Sequence, residues 1–348
     1  MSNSLFRTKN IDKILRDAAT MEESAHGGGG GLHRVLTLRD LTFFGIAAII
    51  GAGSFSSLGQ ACFNGGPGVV VLFIICAVAC GFTAMCYAEF ASRIPVAGSA
   101  YTYAYASFGE LFAWVIGWAL IMEYSIGNIY VAFSWSDYFT SFLHRLSIHM
   151  PDFLTCSYME AHEAVQANAG VNASELTSST QELLNAWNTA PMIGGLRIIF
   201  DLPALVINAL ITMLVYVGVK ESRNFSNIMV VLKLCIIVLV IAVGAYYVNP
   251  DNWVPINAEG VKSFMPNGFS GVMSAVSGVF FAYIGFDAIS VMAEESKNPQ
   301  RDLPRSMILS LVICTVVYIL LTLVLTGVLN YTKFNNVGDP LAKIFEDT

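Results

Sequence analysis

Glu123, Lys233 and Asp287 are ionisable side chains set within or at the edge of long apolar runs. A charge at the centre of a bilayer costs about 2.5–3.5 kcal/mol on insertion scales, so each needs a reason to be there. A carboxyl or amine held out of water can take up and release a proton as its surroundings change. Glu123 follows Glu110 by 13 residues, about 20 Å along a helix, which keeps it from the nearer surface. Lys233 sits within two turns of the start of its run. From position alone it either snorkels to the headgroups or serves inside the bundle. Asp287 follows directly on a glycine-containing break. The bland alternative for both acids is a cap or partner for a backbone group or hydroxyl. Asp137, near the far end of the run that holds Glu123, is expected to face water.

Two of the apolar runs are interrupted by small residues. The first carries Gly45 and then Ile49-Ile50-Gly51-Ala52-Gly53-Ser54-Phe55. The sixth carries Gly278-Val279-Phe280-Phe281-Ala282-Tyr283-Ile284-Gly285-Phe286-Asp287. Glycine lets a helix unwind and a ligand approach the backbone closely. An unwound turn frees N–H and C=O groups, and helix ends carry dipole charge that suits a zwitterion. Glycines in membrane helices also serve close packing, and Gly271, Ser274 and Gly278 fit that role. What favours binding is the pairing: breaks in spans one and six suit two inverted five-helix repeats with the site where the broken helices meet.

The elements that position these residues are membrane helices. The chain is 55% hydrophobic and 12% charged, where a soluble domain carries about 25% charged residues. No charged residue occurs between Asp40 and Glu89. Seven apolar runs, near 41–63, 69–92, 110–143, 202–219, 228–248, 271–292 and 307–330, each reach the ~20 residues that cross a bilayer as a helix. Residues 1–40 read as a polar arm, with Gly27–Gly31 a flexible linker and no signal peptide. Residues 41–348 read as the transmembrane domain, with a polar loop at 145–200 that is either a small cap or largely disordered. With the N-terminus inside, twelve of the 18 Lys and Arg fall inside, five outside, and Lys233 within a span. That asymmetry predicts a cytoplasmic arm and a cell-membrane location. Six of the seven cysteines lie in or beside spans and only Cys156 in the outside loop, so no loop disulfide is implied. The sequons at Asn172 and Asn330 carry little weight. No metal-ligand spacing, cofactor motif, nucleophile–base set or dense basic patch occurs, so neither enzyme chemistry nor nucleic-acid binding is expected. Nor is there the ring of charges or the repeated filter segment of a channel.

At these same residues the sequence resembles the amino acid/polyamine/organocation (APC) superfamily, and within it the cationic amino acid transporters and their bacterial relatives. The stretch Phe280–Asp287, followed by Ala293-Glu294-Glu295 and Lys297-Asn298-Pro299-Gln300-Arg301-Asp302-Leu303-Pro304, is very close to that group's sixth-helix signature. Cys86-Tyr87-Ala88-Glu89-Phe90-Ala91 and Pro95-Val96-Ala97-Gly98-Ser99-Ala100-Tyr101-Thr102-Tyr103 match its second-to-third-helix region, and Ile49-Ile50-Gly51-Ala52-Gly53 its first-helix break. The resemblance runs from about Leu38 to Gly338.

It implies an all-α, inverted five-helix-repeat (LeuT-type) transporter fold with alternating access. Substrate would be held by Ile49, Ile50, Gly51, Ala52 and Gly53 and by Phe281, Ala282 and Ile284, with Phe281 as an aromatic gate. Lys233 would stand where sodium-coupled relatives bind an ion, and Lys233, Glu123 and Asp287 would carry proton coupling. Tyr101, Tyr103 and Tyr105 read as interface anchors that the resemblance also places at the inner gate. Ser54 departs from the family's usual aliphatic residue. The sequence ends after about seven of at least ten expected helices, so the second repeat is expected to be incomplete.

The function expected is secondary active transport of amino acids, with the substrate, protons and the lipid bilayer as partners. The alternatives are an amino-acid-binding membrane sensor without transport, or a non-functional fragment. Substrate choice between neutral and cationic amino acids stays open, with a lean to neutral ones, and oligomeric state is not determined.

Overall fold

The computed structural model describes residues 6–14, 16, 34–168, 178–217, 223–257, 260–335 and 337–346. The Gly27–Gly31 linker, the Asn172 sequon and Lys220 lie outside the described residues.

The seven apolar runs all form helix. Helix α1 (Leu38–Ile49) is started by Asp40, whose carboxylate accepts the Thr37 N–H at 2.9 Å and the Thr37 hydroxyl at 2.6 Å. After Ile49 the chain leaves the helix: Ile50 is extended, with ψ 94°. A π-turn at Gly53–Ser57 then leads into α2 (Leu58–Gly65). Gly66 turns the chain at φ 59°, and α3 (Val69–Arg93) runs back. The short α4 (Ser99–Ser107) and the long α5 (Glu110–Arg145) follow. Helices α6 (Tyr158–Ala167) and α7 (Ser178–Thr189) and a two-strand hairpin, β1 (Met192–Ile193) and β2 (Leu196–Arg197), form a cap. The 145–200 loop is therefore folded where it is described. The capping box of Ser157 and Glu160 starts α6.

Helices α8 (Leu202–Val217) and α9 (Arg223–Tyr246) follow. The sixth run is broken into α10 (Gly268–Ser274), α11 (Val276–Phe281) and a 3₁₀ segment, Phe286–Glu295. Ten residues is long for 3₁₀ geometry and marks a helix under constraint. Helix α12 (Pro299–Val328) carries Pro304 in its first turns, and α13 (Pro340–Glu346) ends the described chain. Gly53–Arg93, Glu110–Arg145, Val276–Glu295 and Pro299–Val328 are long and apolar enough to cross a membrane. Leu202–Leu214 and Val230–Tyr246 are shorter apolar helices.

Helix α12 is the spine. It packs along α3 and α1 through small residues at Ser306, Ser310 and Cys314. Gly45 of α1 sits so close that a Cβ there would lie 2.4 Å from the Ser310 hydroxyl. Above this contact, Phe73, Tyr283, Tyr318 and Leu321 fill the core that surrounds both broken helices. A second core at the other end gathers Leu41, Ile94, Tyr103, Ile289, Leu303 and Met307, together with Ile14 of the arm. This is the arm end of the bundle, and the opposite one is the cap end. All seven cysteines are free.

Candidate functional site

The two interruptions lie against each other. A Cβ on Gly53 would stand 2.6 Å from Ala282 Cα, so only glycine permits this approach of backbone to backbone. Gly285, at φ 112°, makes the second crossing: a Cβ there would meet the Ala48 carbonyl oxygen at 2.6 Å. Ser57 donates across the pair to Gly278 O at 3.3 Å. The space beside Gly51 is open, since a Cβ there would meet nothing within 4 Å.

Tyr318 of α12 ties the two breaks. Its hydroxyl lies 2.7 Å from Ala282 O and 3.1 Å from Ile49 O, so one proton is shared between carbonyls of the first and sixth runs. The side chain is fully buried and packs against Phe73 and Tyr283. The sequence reading missed it, because one tyrosine in an apolar run carries no local signal.

Lys233 does not snorkel. Its ammonium donates to Ala47 O at 3.0 Å and to Ile50 O. These are carbonyls that the end of α1 leaves without helical partners. A cation on the C-terminal end of a helix also matches the helix dipole. Ser54, the departure from the family pattern, closes the turn by donating to Gly51 O at 2.8 Å.

Phe281 stands at the end of α11 with its ring edge-on to Tyr130, centroids 4.9 Å apart. Ala282 is buried, and Ile49 and Ile50 are buried in the core on the far side of the turn. The structure thus brings Ile49, Ile50, Gly51, Ala52, Gly53, Phe281, Ala282 and Ile284 into one neighbourhood, with Lys233 behind the first break.

Asp287 and Glu123 lie on the arm side of that neighbourhood. Asp287 is 6% exposed and accepts from Ser99 Oγ at 3.2 Å and from Tyr124 Oη at 3.3 Å. Ser99 reaches it from a left-handed backbone, φ 49°, just after Gly98 at φ 138°. Strain of this kind survives where surrounding contacts hold it. Glu123 precedes Tyr124 on α5 and is half-buried.

Two sequence expectations are corrected. Asp137 does not simply face water: it is half-buried, and its carboxylate sits against Gly338, where a Cβ would lie 2.6 Å from Oδ2. Tyr103 is no interface anchor. It is 4% exposed and stacks on Phe90 at 5.1 Å, because α4 turns that ring into the arm-end core. Tyr101, 42% exposed, keeps the anchoring position.

Outside the spans, Asp201 caps α8. It accepts from Ala204 N–H at 2.8 Å and from Ser136 Oγ at 2.7 Å. Burial pushes its carboxyl above the usual range despite those hydrogen bonds. A groove of about 790 Å³ opens between α5 and α8, lined by residues such as Ile129, Phe133, Asn208 and Met213. None of the predicted substrate or coupling residues lines it. Among the described residues no group of His, Cys, Asp and Glu could hold a metal ion.

Residues 36–348, from just before α1 to the end of the chain, match the family model described as amino acid permease. The chain belongs to the amino acid permease family. Among its relatives is the branched-chain amino acid permease BcaP of Bacillus subtilis (strain 168), 43% identical over 346 residues, 99% of this chain and 64% of the relative. The methylthioribose transporter of the same organism is 42% identical over 98% of this chain and 63% of its own length. Cationic amino acid transporter 4 of Homo sapiens is 34% identical over 90% of this chain and 42% of its own. The chain thus spans less than two-thirds of the length of these relatives. Family membership and the long apolar helices together make this permease a multi-pass, all-helical membrane protein.

Proposed function

We propose that the chain carries amino acids across a cell membrane by alternating access, as a proton-coupled secondary transporter built on inverted five-helix repeats. The observation that carries the reading is the meeting of the two broken runs, Gly53 on Ala282, with the Tyr318 hydroxyl bridging both. Unwound backbone at the middle of a membrane protein is tolerated where it lines a cavity or ligand site. The substrate zwitterion lies along Ile49–Gly53 and Phe281–Ile284, beside the open face of Gly51, with Phe281 closing over it. Lys233 holds the end of α1 while charged and releases it when it loses its proton, which couples the first break to proton binding. Glu123 and Asp287 form the proton path towards the arm end.

Neutral amino acids are the substrates we favour. The Asp287 carboxylate is already engaged by two hydroxyls, and a relative at 43% identity bears the name of a branched-chain permease. The distribution of Lys and Arg supports an arm on the cytoplasmic side.

The test is uptake of labelled leucine and arginine into proteoliposomes carrying an inward proton gradient, for this chain and its Lys233→Ala variant. Gradient-driven leucine uptake that the lysine variant lacks is the expected result. Saturable leucine binding with no uptake at any gradient would refute transport and leave an amino-acid-binding membrane protein.

A further inference from the structure

The arm ahead of the first helix is bound to the rest of the protein at a definite height. Ile14 is 5% exposed and belongs to the arm-end core with Leu41, Tyr103 and Ile289. Lys9 N–H donates to Tyr105 O at 3.3 Å, and the Lys9 ammonium lies 5.7 Å from the Tyr105 ring centroid. Tyr105, and after it Glu110, raise the pKa of the Arg7 guanidinium. Phe6 packs on Phe112 with centroids 6.5 Å apart, and its backbone rests on Gly109, where a Cβ would stand 2.8 Å from it.

That height is the edge of the membrane. Helix α5 exposes Trp114 at 61% and Trp135 at 39%. They are 21 residues apart, about 32 Å along a helix. This matches the ~30 Å hydrocarbon thickness, and tryptophans favour its two boundaries. Phe112 lies two residues outside Trp114, so the arm that packs on it lies in the headgroup layer.

The exposed surface there has two chemistries. Phe6, Phe108 and Phe112 are exposed at 54%, 61% and 47%. Around them stand the cations Arg7, Lys9 and Lys13, against two acids, Asp12 and Glu110. Aromatics at the acyl boundary beside cations in the headgroup layer suit an anionic phospholipid, not a soluble peptide. We propose that residues 6–14 and the start of α5 form a binding surface for anionic phospholipid headgroups, which holds the arm onto the arm-end core. This surface requires only the membrane boundary and not transport.

The experiment is hydrogen–deuterium exchange of the 6–14 segment in lipid nanodiscs, with either pure phosphatidylcholine or a seven-to-three mixture with phosphatidylglycerol. Each basic side chain at an anionic surface is worth about fivefold, so exchange should slow by at least about tenfold in the anionic discs. The slowing should vanish in the R7Q/K9Q/K13Q variant and at high salt, which screens surface charge. Equal exchange of the wild-type arm in the two disc types overturns the proposal. Slowing by inorganic phosphate in phosphatidylcholine discs, to the level seen with phosphatidylglycerol, also overturns it and leaves a phosphate site.

Discussion

Replacing Tyr318 by phenylalanine isolates the tie between the two broken runs. The ring and its packing on Phe73 and Tyr283 stay, so no cavity larger than one oxygen is left. What goes is a hydroxyl fully shielded from water that lies 2.7 Å from Ala282 O and 3.1 Å from Ile49 O. A buried acceptor that loses its only donor costs about 1–3 kcal/mol. Two carbonyls share this one donor, which places the loss in the middle of that range, about 2 kcal/mol. The expected fall in melting temperature is about 4–8 °C, taking roughly 2–4 °C per kcal/mol for a chain larger than 150 residues. Intrinsic tryptophan fluorescence during a thermal ramp in detergent reads it. Leucine should also bind more weakly, because the carbonyls that the tyrosine holds belong to the proposed site. A variant melting within 1 °C of the wild type, with unchanged leucine affinity, would refute the claim that Tyr318 joins the breaks.

Gly51→Ala and Gly53→Ala separate the site from the packing. The first adds a methyl to open space, so stability should hold while leucine affinity falls at least about tenfold; unchanged affinity would remove Gly51 from the site. The second drives a methyl into Ala282 backbone at 2.6 Å, and overpacking of this kind costs about 1–3 kcal/mol, visible in the same thermal ramp. Lys233→Met removes the donor to Ala47 O and Ile50 O, and should flatten the pH dependence of leucine uptake that the wild type shows. Asp201→Ala loses the cap of α8 and should cost about 0.5–2 kcal/mol, whereas Asp201→Asn keeps it. Because burial raises the Asp201 pKa, the folded state favours its protonated form, so this group's contribution weakens as pH rises through its range and Asp201→Asn should melt higher than wild type at pH 7. Burial pushes the Cys156 thiol up to about 12, so at pH 7.5 maleimide should modify it about a thousandfold more slowly than a free thiol; rapid labelling in folded protein would contradict its burial.

Helices and breaks were legible in the sequence because their signals are local. An apolar run of membrane length has few structural options, and paired glycines in two such runs mark where the helix is given up. The capping box Ser157–Glu160 was equally legible: Ser-x-x-Glu ahead of an apolar stretch announces α6, so a folded cap could have been preferred to a disordered loop. Tyr318 and Ser99 were not legible. What matters about Tyr318 is that its hydroxyl meets residues 36 and 269 positions away, and no spacing rule carries that. Ser99 reaches Asp287 only because Gly98 and a left-handed turn aim α4 at the broken run. Tyr103 was misread for a related reason. Alternating tyrosines in a short polar segment look like an interfacial belt, but in a helix positions 101 and 105 share one face while position 103 points away from it. Tyr103 enters the core, while Tyr101 stays exposed with its ring against half-buried Tyr105.

The polar contacts at the two breaks follow one rule. Where α1 ends, the carbonyls of Ala47, Ile49 and Ile50 lose their helical partners, and each is met by a side chain from another helix: Lys233 of α9 or Tyr318 of α12. Where α11 ends, Ala282 O is met again by Tyr318, and Gly278 O, which keeps the Ala282 N–H, is met in addition by Ser57. An unwound turn in a membrane is stable only if its carbonyls are satisfied by groups that do not come from the same helix. Such groups can be withdrawn without unfolding anything else. A lysine or a tyrosine hydroxyl can leave a carbonyl through a rotamer change, whereas a helical N–H cannot leave without breaking the ladder. The helix ends held in this way are therefore fixed by side chains of other helices and not by their own hydrogen-bond ladder. Glycines at 53 and 285 keep those same ends in close backbone contact with Ala282 and Ala48. The first and sixth runs thus meet backbone to backbone at both breaks, where a side chain on either glycine would force them apart.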